Sequence, residues 1–440
     1  MVLLKNFGNI FKIPELTRKL LFSLGVLVVS RIGTFIPAIG INVPLLAEHM
    51  KSAKIFSGLL SYFDTFSGGA LQQCTIFALG ISPYITASIM MQMLSMTVPS
   101  LELLMKEGDY GRKVINQYTR YLALLLSIGY GVAYALYLNN VNATTTPGLL
   151  VSPGLGFTLL FTLSLTVGSM FTMWLSEQIS LFGIGNGSSM IIFAGIVARF
   201  PGYFIKILTQ LPTYKSLLVL LLFLVIAASI VFLEKGERKI PVQYARRIIG
   251  QRVYGGQSTY IPFKINTAGV MPVIFASSLL NIPLFLVGVL VERFTWLKVV
   301  SNALNSGLLY NALEFALIIF FTFFYTAIAF NPTELADNIK KSGGFIPGIR
   351  PGKQTADFFD FILTRIGLVG AVYLGVLAIA PNGIEYWLGL RDIGVVIGGT
   401  SLLIMVGVAL ETSAQIESYL IEHRYEGFLT SGRMKSKVAR

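Results

Sequence analysis

The sequence predicts an all-α polytopic membrane protein, ten transmembrane helices in two pseudo-symmetric halves of five. Three observations carry that prediction. Hydrophobic residues make up 54% of the 440 positions and charged residues only 12%, with a mean hydropathy of +0.71; a water-soluble core cannot take up so much apolar side chain. Ten apolar runs reach the roughly 20 residues that one crossing needs. Lys and Arg also sort by side: 25 of the 34 fall at the N-terminus and in segments 98–120, 234–266, 331–365 and 411–440. An even number of spans puts both termini on one face, and the positive-inside rule makes that face cytoplasmic.

The spans centre on Leu20–Ile36, Cys74–Met96, Tyr121–Leu138, Leu155–Leu175, Ser188–Ile205, Leu217–Leu233, Ala268–Val291, Leu313–Phe330, Phe361–Ala380 and Val395–Ala414. Before the first, MVLLKNFGNIFKIPELTRK is a mixed amphipathic stretch without a signal-peptide cleavage pattern. That span carries Arg31, read as snorkelling or packing against a neighbour. The second holds Gly80, Pro83 and several hydroxyls, and the half-apolar stub SGLLSYFDTFSGGAL before it is too short to span. GIGNG at 183–187 leads into the fifth span; without a following Lys-Ser/Thr and a preceding strand it is no phosphate loop, and its glycines fit close helix approach. The Pro-bounded Phe200–Pro212 segment separates the halves. Spans seven and nine follow basic loops, ERKIPVQYARRIIGQRVYGGQSTYIPFKIN, which alternates like a hairpin around Gly-Gly, and KKSGGFIPGIRPGKQTADFF, stiffened by Pro347 and Pro351 around Arg350.

These boundaries define an N-terminal half at 1–205, a hinge loop at 206–212, a C-terminal half at 213–416 with cytoplasmic loops at 234–266 and 331–365, and a cytoplasmic tail at 417–440.

Several function classes find no residues. Cys74 is the lone cysteine, read as a small packing residue, and His49 and His423 both lie outside the apolar runs, so no cysteine cluster or H-E-x-x-H zinc site can form. Glu177, Glu234, Glu314 and Glu411 sit near span ends, leaving the span centres without the ionisable groups an ion-coupled transporter uses. No nucleophile, base and orienting group can be assembled, so an enzyme is not expected. A secondary transporter of a small solute is the rival reading, favoured by span count and broken helices.

Five stretches identify a family: FSGGAL followed by IFALGISPYITASI, KEGDYGRKVINQYTRY, GIGNGSSMIIFAGIVA, QSTYIPFKINTAGVMPVIFASSLL and GGFIPGIRPGKQTA. The sequence resembles the SecY family, the channel-forming subunit of the bacterial protein-conducting translocon, nearly end to end. The resemblance implies a central hourglass pore through which unfolded secretory proteins cross the cytoplasmic membrane, and a lateral gate, lined by spans two, three, seven and eight, that releases transmembrane segments into lipid.

By motif match the pore ring falls on Ile81, Ile85, Ile192, Ile196, Ile274 and Ile404. A plug at 57–69 contains Ser61, Tyr62, Phe63, Asp64, Thr65, Phe66, Gly68 and Gly69, with the two glycines as its hinge. Asp64 is read as facing external water rather than entering a specific salt bridge. Thr86, Ser88, Ser277 and Ser278 line the gate, closing it by hydrogen bonds or bonding their own helix backbone. The family further implies SecE and SecG subunits, signal sequences and unfolded preproteins as clients, and the SecA ATPase or a ribosome as motor, with nucleic acid met only as ribosomal RNA. Docking falls to Arg350, helped by Arg238, Lys239, Arg246, Arg247 and Lys264. No cofactor or metal is implied.

Overall fold

The computed structural model describes residues 13–46, 64, 67–144, 147–244, 247–249, 252–254, 258–290, 307–388 and 399–438. They form twelve helices: α1 (Pro14–Gly33), α2 (Ser82–Thr97), α3 (Pro99–Lys106), α4 (Asp109–Thr144), α5 (Leu155–Phe182), α6 (Gly187–Gln210), α7 (Thr213–Lys235), α8 (Met271–Leu290), α9 (Leu308–Ala329), α10 (Pro332–Lys341), α11 (Lys353–Leu388) and α12 (Gly399–Val438). Five short strands complete the set: β1 (Glu237–Tyr244), β2 (Arg247–Ile249), β3 (Arg252–Tyr254), β4 (Ser258–Lys264) and β5 (Gly344–Phe345). Each of the ten expected spans falls on one of these helices.

Among the described residues, α4, α5, α6, α7, α9, α11 and α12 are long and apolar enough to cross a bilayer, and α2 with α3 makes a further, bent candidate. The chain is a multi-pass membrane protein. Its α7 exposes Leu217, Leu221, Leu224 and Phe232, each more than 60% accessible; a helix this apolar on its open face needs hydrocarbon as solvent. At 1.5 Å per residue the 36 residues of α4 extend about 54 Å, beyond the roughly 30 Å hydrocarbon layer.

Two compact units form: Met1–Thr209 with Asn281–Asn302 and Val408–Arg440, and Gln210–Leu280 with Ala303–Gly407. In the first, α4 and α5 pack around fully buried Tyr134, Phe161 and Leu165, with ring centroids 5.6 Å apart for Tyr134–Phe161 and 5.2 Å for Phe157–Phe161.

The second span departs from its expected Cys74–Met96. Residues 68–81 make successive turns, and α2 begins only at Ser82. Left-handed backbones at Cys74 (φ 47°) and Gly80 (φ 52°) interrupt any right-handed helix. Pro83 stands in the first turn, where a missing N–H costs nothing; it starts the helix rather than bending it. Tyr134 holds these turns from α4, its hydroxyl donating to the Leu71 carbonyl at 2.9 Å and lying 2.8 Å from Cys74 Sγ. At the other end Val98, extended at φ −99° before Pro99 as the pre-proline position requires, turns α3 98° away from α2.

The expected hinge loop at 206–212 is shorter than predicted. Residues 206–210 continue α6, and only Leu211 and Pro212 separate it from α7. The helix continues through an apolar run that includes Phe204, Ile205, Ile207 and Leu208; Pro212 ends it by disfavouring helical geometry at Leu211. Likewise α12 runs through the expected tail as far as Val438.

In the second unit the two basic loops fold together. β1 pairs antiparallel with β4, Ile240 opposite Ile261 and Lys239 opposite Pro262, and β5 adds to the other edge of β1 through Gln243–Phe345 and Tyr244–Gly344. Inside the connection β2 pairs antiparallel with β3, Ile248 opposite Val253; Gly255-Gly256, where the sequence places the turn, lie outside the described residues.

The inward face of this sheet, Ile240, Val242 and Phe263, packs on Ile339 of α10 and Phe359 and Ile362 of α11. Asn331 caps α10, its side chain accepting from the Thr333 N–H at 3.2 Å. Phe263 is fully buried between Phe330 and Phe359, so Phe263→Ala is expected to cost this subdomain about 3–5 kcal/mol. Limited proteolysis of membrane-embedded protein checks it: the variant should be cut within 237–264 under conditions that spare the parent, and equal resistance would remove Phe263 from the core.

Candidate functional site

Two regions gather the residues singled out by the sequence, one in each unit. In the first, Asp64, Gly68 and Gly69 precede the turns that lead into α2; Ser61, Tyr62, Phe63, Thr65 and Phe66 lie outside the described residues. Asp64 does not face water. Its side chain is 0% exposed, and its carboxylate pairs with the Arg199 guanidinium of α6 while Oδ1 accepts the Gln72 N–H at 2.9 Å. Burial raises the Asp64 carboxyl above its ordinary value, against the opposing pull of the Arg199 charge. A carboxylate withdrawn from water this completely needs a cation beside it, and a planar guanidinium matches it best.

Arg31 of α1 reaches the same place, its guanidinium donating to the Gly68 carbonyl at 3.3 Å. Both glycines are left-handed, φ 65° at Gly68 and 100° at Gly69, and a Cβ at either would overlap the Arg31 or Arg199 guanidinium respectively. The left-handed backbone calls for glycine at both positions, and at Gly68 the Gly195 backbone of α6 also leaves no room for a Cβ. Reading the sequence alone missed this cluster. Its signal was available: one acid in an apolar stretch, and two cations, Arg31 inside span one and Arg199 near the end of span five.

Nearby, Ile81 caps α2 and its carbonyl accepts the Ile85 N–H at 3.1 Å, the first helical bond. Ile81, Ile85, Ile192 and Ile196 are all buried in this unit, and Ile274 and Ile404 are buried in the other. The GIGNG stretch clasps three helices. Its Ile184 N–H donates to Ser23 Oγ of α1 and its Gly185 N–H to Gln415 Oε1 of α12, each at 2.9 Å, and a Cβ at Gly187 would strike the Ser176 carbonyl of α5. Thr86 and Ser277 are buried, Ser88 and Ser278 half-buried. Ser277 Oγ donates to the Ile274 carbonyl of its own helix at 2.9 Å.

In the second unit, Lys239 and Lys264 share the outward face of the sheet with Tyr260, as the register of β1 and β4 dictates. Lys239 Nζ lies 4.7 Å from the Tyr260 ring centroid and 3.2 Å from Glu237; the hydrogen bond to Glu237 holds its ammonium above the ordinary value. Arg238 is exposed at the sheet's end. Arg247 contributes backbone to β2, and Arg246 lies outside the described residues.

Arg350 is presented by two Pro-Gly turns. Pro347-Gly348 forms the first, with Gly348 at φ 85° and the Ile349 N–H donating to Ile346 at 3.1 Å, the geometry of a type II turn. Gly352 at φ 106° follows Pro351, and Thr355 Oγ1 donates to the Arg350 carbonyl at 2.9 Å. Buried Ile346 and half-buried Ile349 anchor the loop on the subdomain core, leaving the Arg350 side chain exposed on a fixed backbone.

A family model described as SecY matches residues 75–413. The chain belongs to the SecY family. Its similarity to the protein translocase subunit SecY of Streptomyces coelicolor is 46% identity over 437 residues, covering 97% of this chain and 100% of that one. The corresponding subunit of Mycobacterium tuberculosis is 43% identical over 440 residues, at 97% and 100% coverage, and that of Aquifex aeolicus 42% over 428 residues, at 96% and 98%. Among solved structures, one described as a protein conducting channel aligns with a TM-score of 0.65 at 19% identity, covering 91% of this chain and 92% of that one. Sec61 in the canine ribosome-channel complex aligns at 0.62 and 18%, with the same coverage. These two likenesses place the SecY family chain in the same fold. Arg199, the isoleucines of α2 and α6 and the GIGNG stretch itself lie within the matched region, whereas Asp64 and the clasp partner Ser23 precede it and Gln415 follows it.

Proposed function

We propose that this chain is the protein-conducting channel of a bacterial cytoplasmic membrane, passing unfolded secretory proteins across and releasing transmembrane segments sideways. The observation that carries this reading is the near full-length likeness to chains named protein translocase subunit SecY. In this reading both termini are cytoplasmic, and the two halves meet at the short α6–α7 connection. The chain performs no bond-making chemistry, so the work of transport comes from an outside motor.

The isoleucines Ile81, Ile85, Ile192, Ile196, Ile274 and Ile404 form the constriction. Stiff β-branched side chains offer an ion no hydrogen bonds in place of its water, so a narrow collar of them dewets and seals. An extended polypeptide parts the collar and is gripped by it. A signal sequence enters between spans two and seven, past Thr86, Ser88, Ser277 and Ser278, because an apolar helix gains by partitioning toward lipid. Its entry displaces the plug at 57–69.

The Arg350 loop and the outward face of the β1–β4 sheet form the docking platform for SecA or a ribosome, with SecE and SecG as the other subunits. Solved relatives described as ribosome-bound, the canine Sec61 and yeast Ssh1 complexes, support the ribosome as one partner. Photo-crosslinking tests the reading: with probes at Ile81 and Ile192, a stalled secretory chain should label both positions. Labelling at neither, with uptake of a small solute by the purified protein, would favour the transporter instead.

A further inference from the structure

The GIGNG clasp has no part in the reading so far. It stands where α5 ends and α6 begins, and two of its backbone donors turn outward to other helices. The Ile184 N–H donates to Ser23 Oγ of α1, which itself donates to the Lys19 carbonyl at 3.0 Å. The Gly185 N–H donates to Gln415 Oε1 of α12. Around these two bonds Leu16, Ile184 and Leu420 form a small buried core, with Leu20 and Ile416 packed against it. Lys19 Nζ lies 4.4 Å from the Tyr419 ring centroid, and Thr412 Oγ1 of α12 lies 3.5 Å from Met190 Sδ of α6. All of these residues belong to one compact unit.

The loop has little freedom to take another shape. Gly185 is left-handed at φ 89°, and the Gly187 N–H is held by Ser180 Oγ of α5 at 2.9 Å. Both helices that meet here carry isoleucines of the ring. Ile192 and Ile196 lie in the first three turns of α6, and Ile404 precedes Gln415 on α12 at i, i+11 spacing, about three turns and hence on the same face.

We propose that Ser23 and Gln415 are positioning residues: by accepting the Ile184 and Gly185 N–H groups they make a fixed joint of α1, α6 and α12 that holds the α6 isoleucines in the ring and stays closed while the channel opens elsewhere. The inference rests on the channel reading. A buried N–H left without an acceptor costs far more than an ordinary exchange of partners with water, so the joint does not part and re-form with each precursor. Loss of either acceptor frees the start of α6 to tilt. Ile192, in its second turn, then moves with it, and a collar that no longer closes fills with water and passes ions.

The test uses the full chain in its membrane complex, reconstituted in planar bilayers for conductance and in proteoliposomes with its motor for export. Gln415→Met keeps the length of the side chain and removes the acceptor; resting ion conductance should rise about fivefold or more, since a buried N–H then has no partner. Gln415→Glu restores an acceptor oxygen and should restore the seal, which a role in packing alone would not predict. Ser23→Ala, on the other side of the loop, should leak as Gln415→Met does. The paired changes Met190→Cys and Thr412→Cys, joined by a short thiol-to-thiol cross-linker, should leave precursor export unchanged.

Resting conductance unchanged in either Gln415→Met or Ser23→Ala, a leak in Gln415→Glu as large as in Gln415→Met, or export blocked by the cross-link would overturn the joint. A parent complex that exports no precursor would bring down the channel reading instead, so the two failures are told apart.

Discussion

Arg350→Glu is expected to cut preprotein export about thirtyfold or more while the complex still assembles in the membrane. Removing one partner of a desolvated charge pair costs about 2 kcal/mol or more, and each 1.4 kcal/mol is tenfold; reversal adds repulsion to that loss. The loop geometry makes the effect specific. Two left-handed glycines, the Thr355 bond to the Arg350 carbonyl and the buried Ile346 fix the backbone regardless of the side chain at 350, so the substitution removes a contact and leaves the fold. Arg350→Lys should recover only part of the loss, because an ammonium cannot make the two-pronged contact of a guanidinium. Export in reconstituted vesicles measures both, and full export by the Glu variant would take Arg350 out of the docking platform.

Serine in place of ring isoleucines is the second large effect. Ile192 and Ile196 are 1% and 7% exposed, one helical turn apart on α6. Each Ile→Ser change removes about 1.5–3 kcal/mol of apolar burial and adds a hydroxyl that holds water, which shifts the balance between dry and wet collar by about tenfold or more. The resting channel should then leak ions, with single-channel conductance rising by a similar factor, while Ile192→Val stays sealed. Conductance unchanged in the Ile192→Ser/Ile196→Ser variant would show that the seal lies elsewhere.

Much of this protein is legible without coordinates. Ten apolar runs and the distribution of Lys and Arg suffice for class and span positions, because hydrocarbon allows few residue types and only helices or barrels can satisfy the backbone there. The hairpin character of 237–264 is also readable, since Ile240 and Val242 alternate with exposed positions. Three features were not. The start of α2 at Ser82 depends on left-handed turns at Cys74 and Gly80 pinned by Tyr134, a residue 60 positions away in sequence from Cys74. The joining of the two basic loops in one sheet needs β5 to find β1 across about a hundred residues. The join between α6 and α7 is shorter than the expected hinge because α6 runs on past Pro201, a helix breaker by its type, to Gln210.

Asp64 marks the boundary most clearly. By itself the sequence determined that the chain crosses a membrane many times and that it resembles the SecY family. It also put a charge in an apolar segment, where water seemed its natural partner. Only the tertiary structure decided that the partner is Arg199, 135 positions on, with Arg31 at the next carbonyl. The physical reason is that hydropathy is a property of each residue and its near neighbours, whereas the cost of a buried charge is settled by whatever lies within a few ångströms, and that is set by the packing of α1, α6 and the turns before α2.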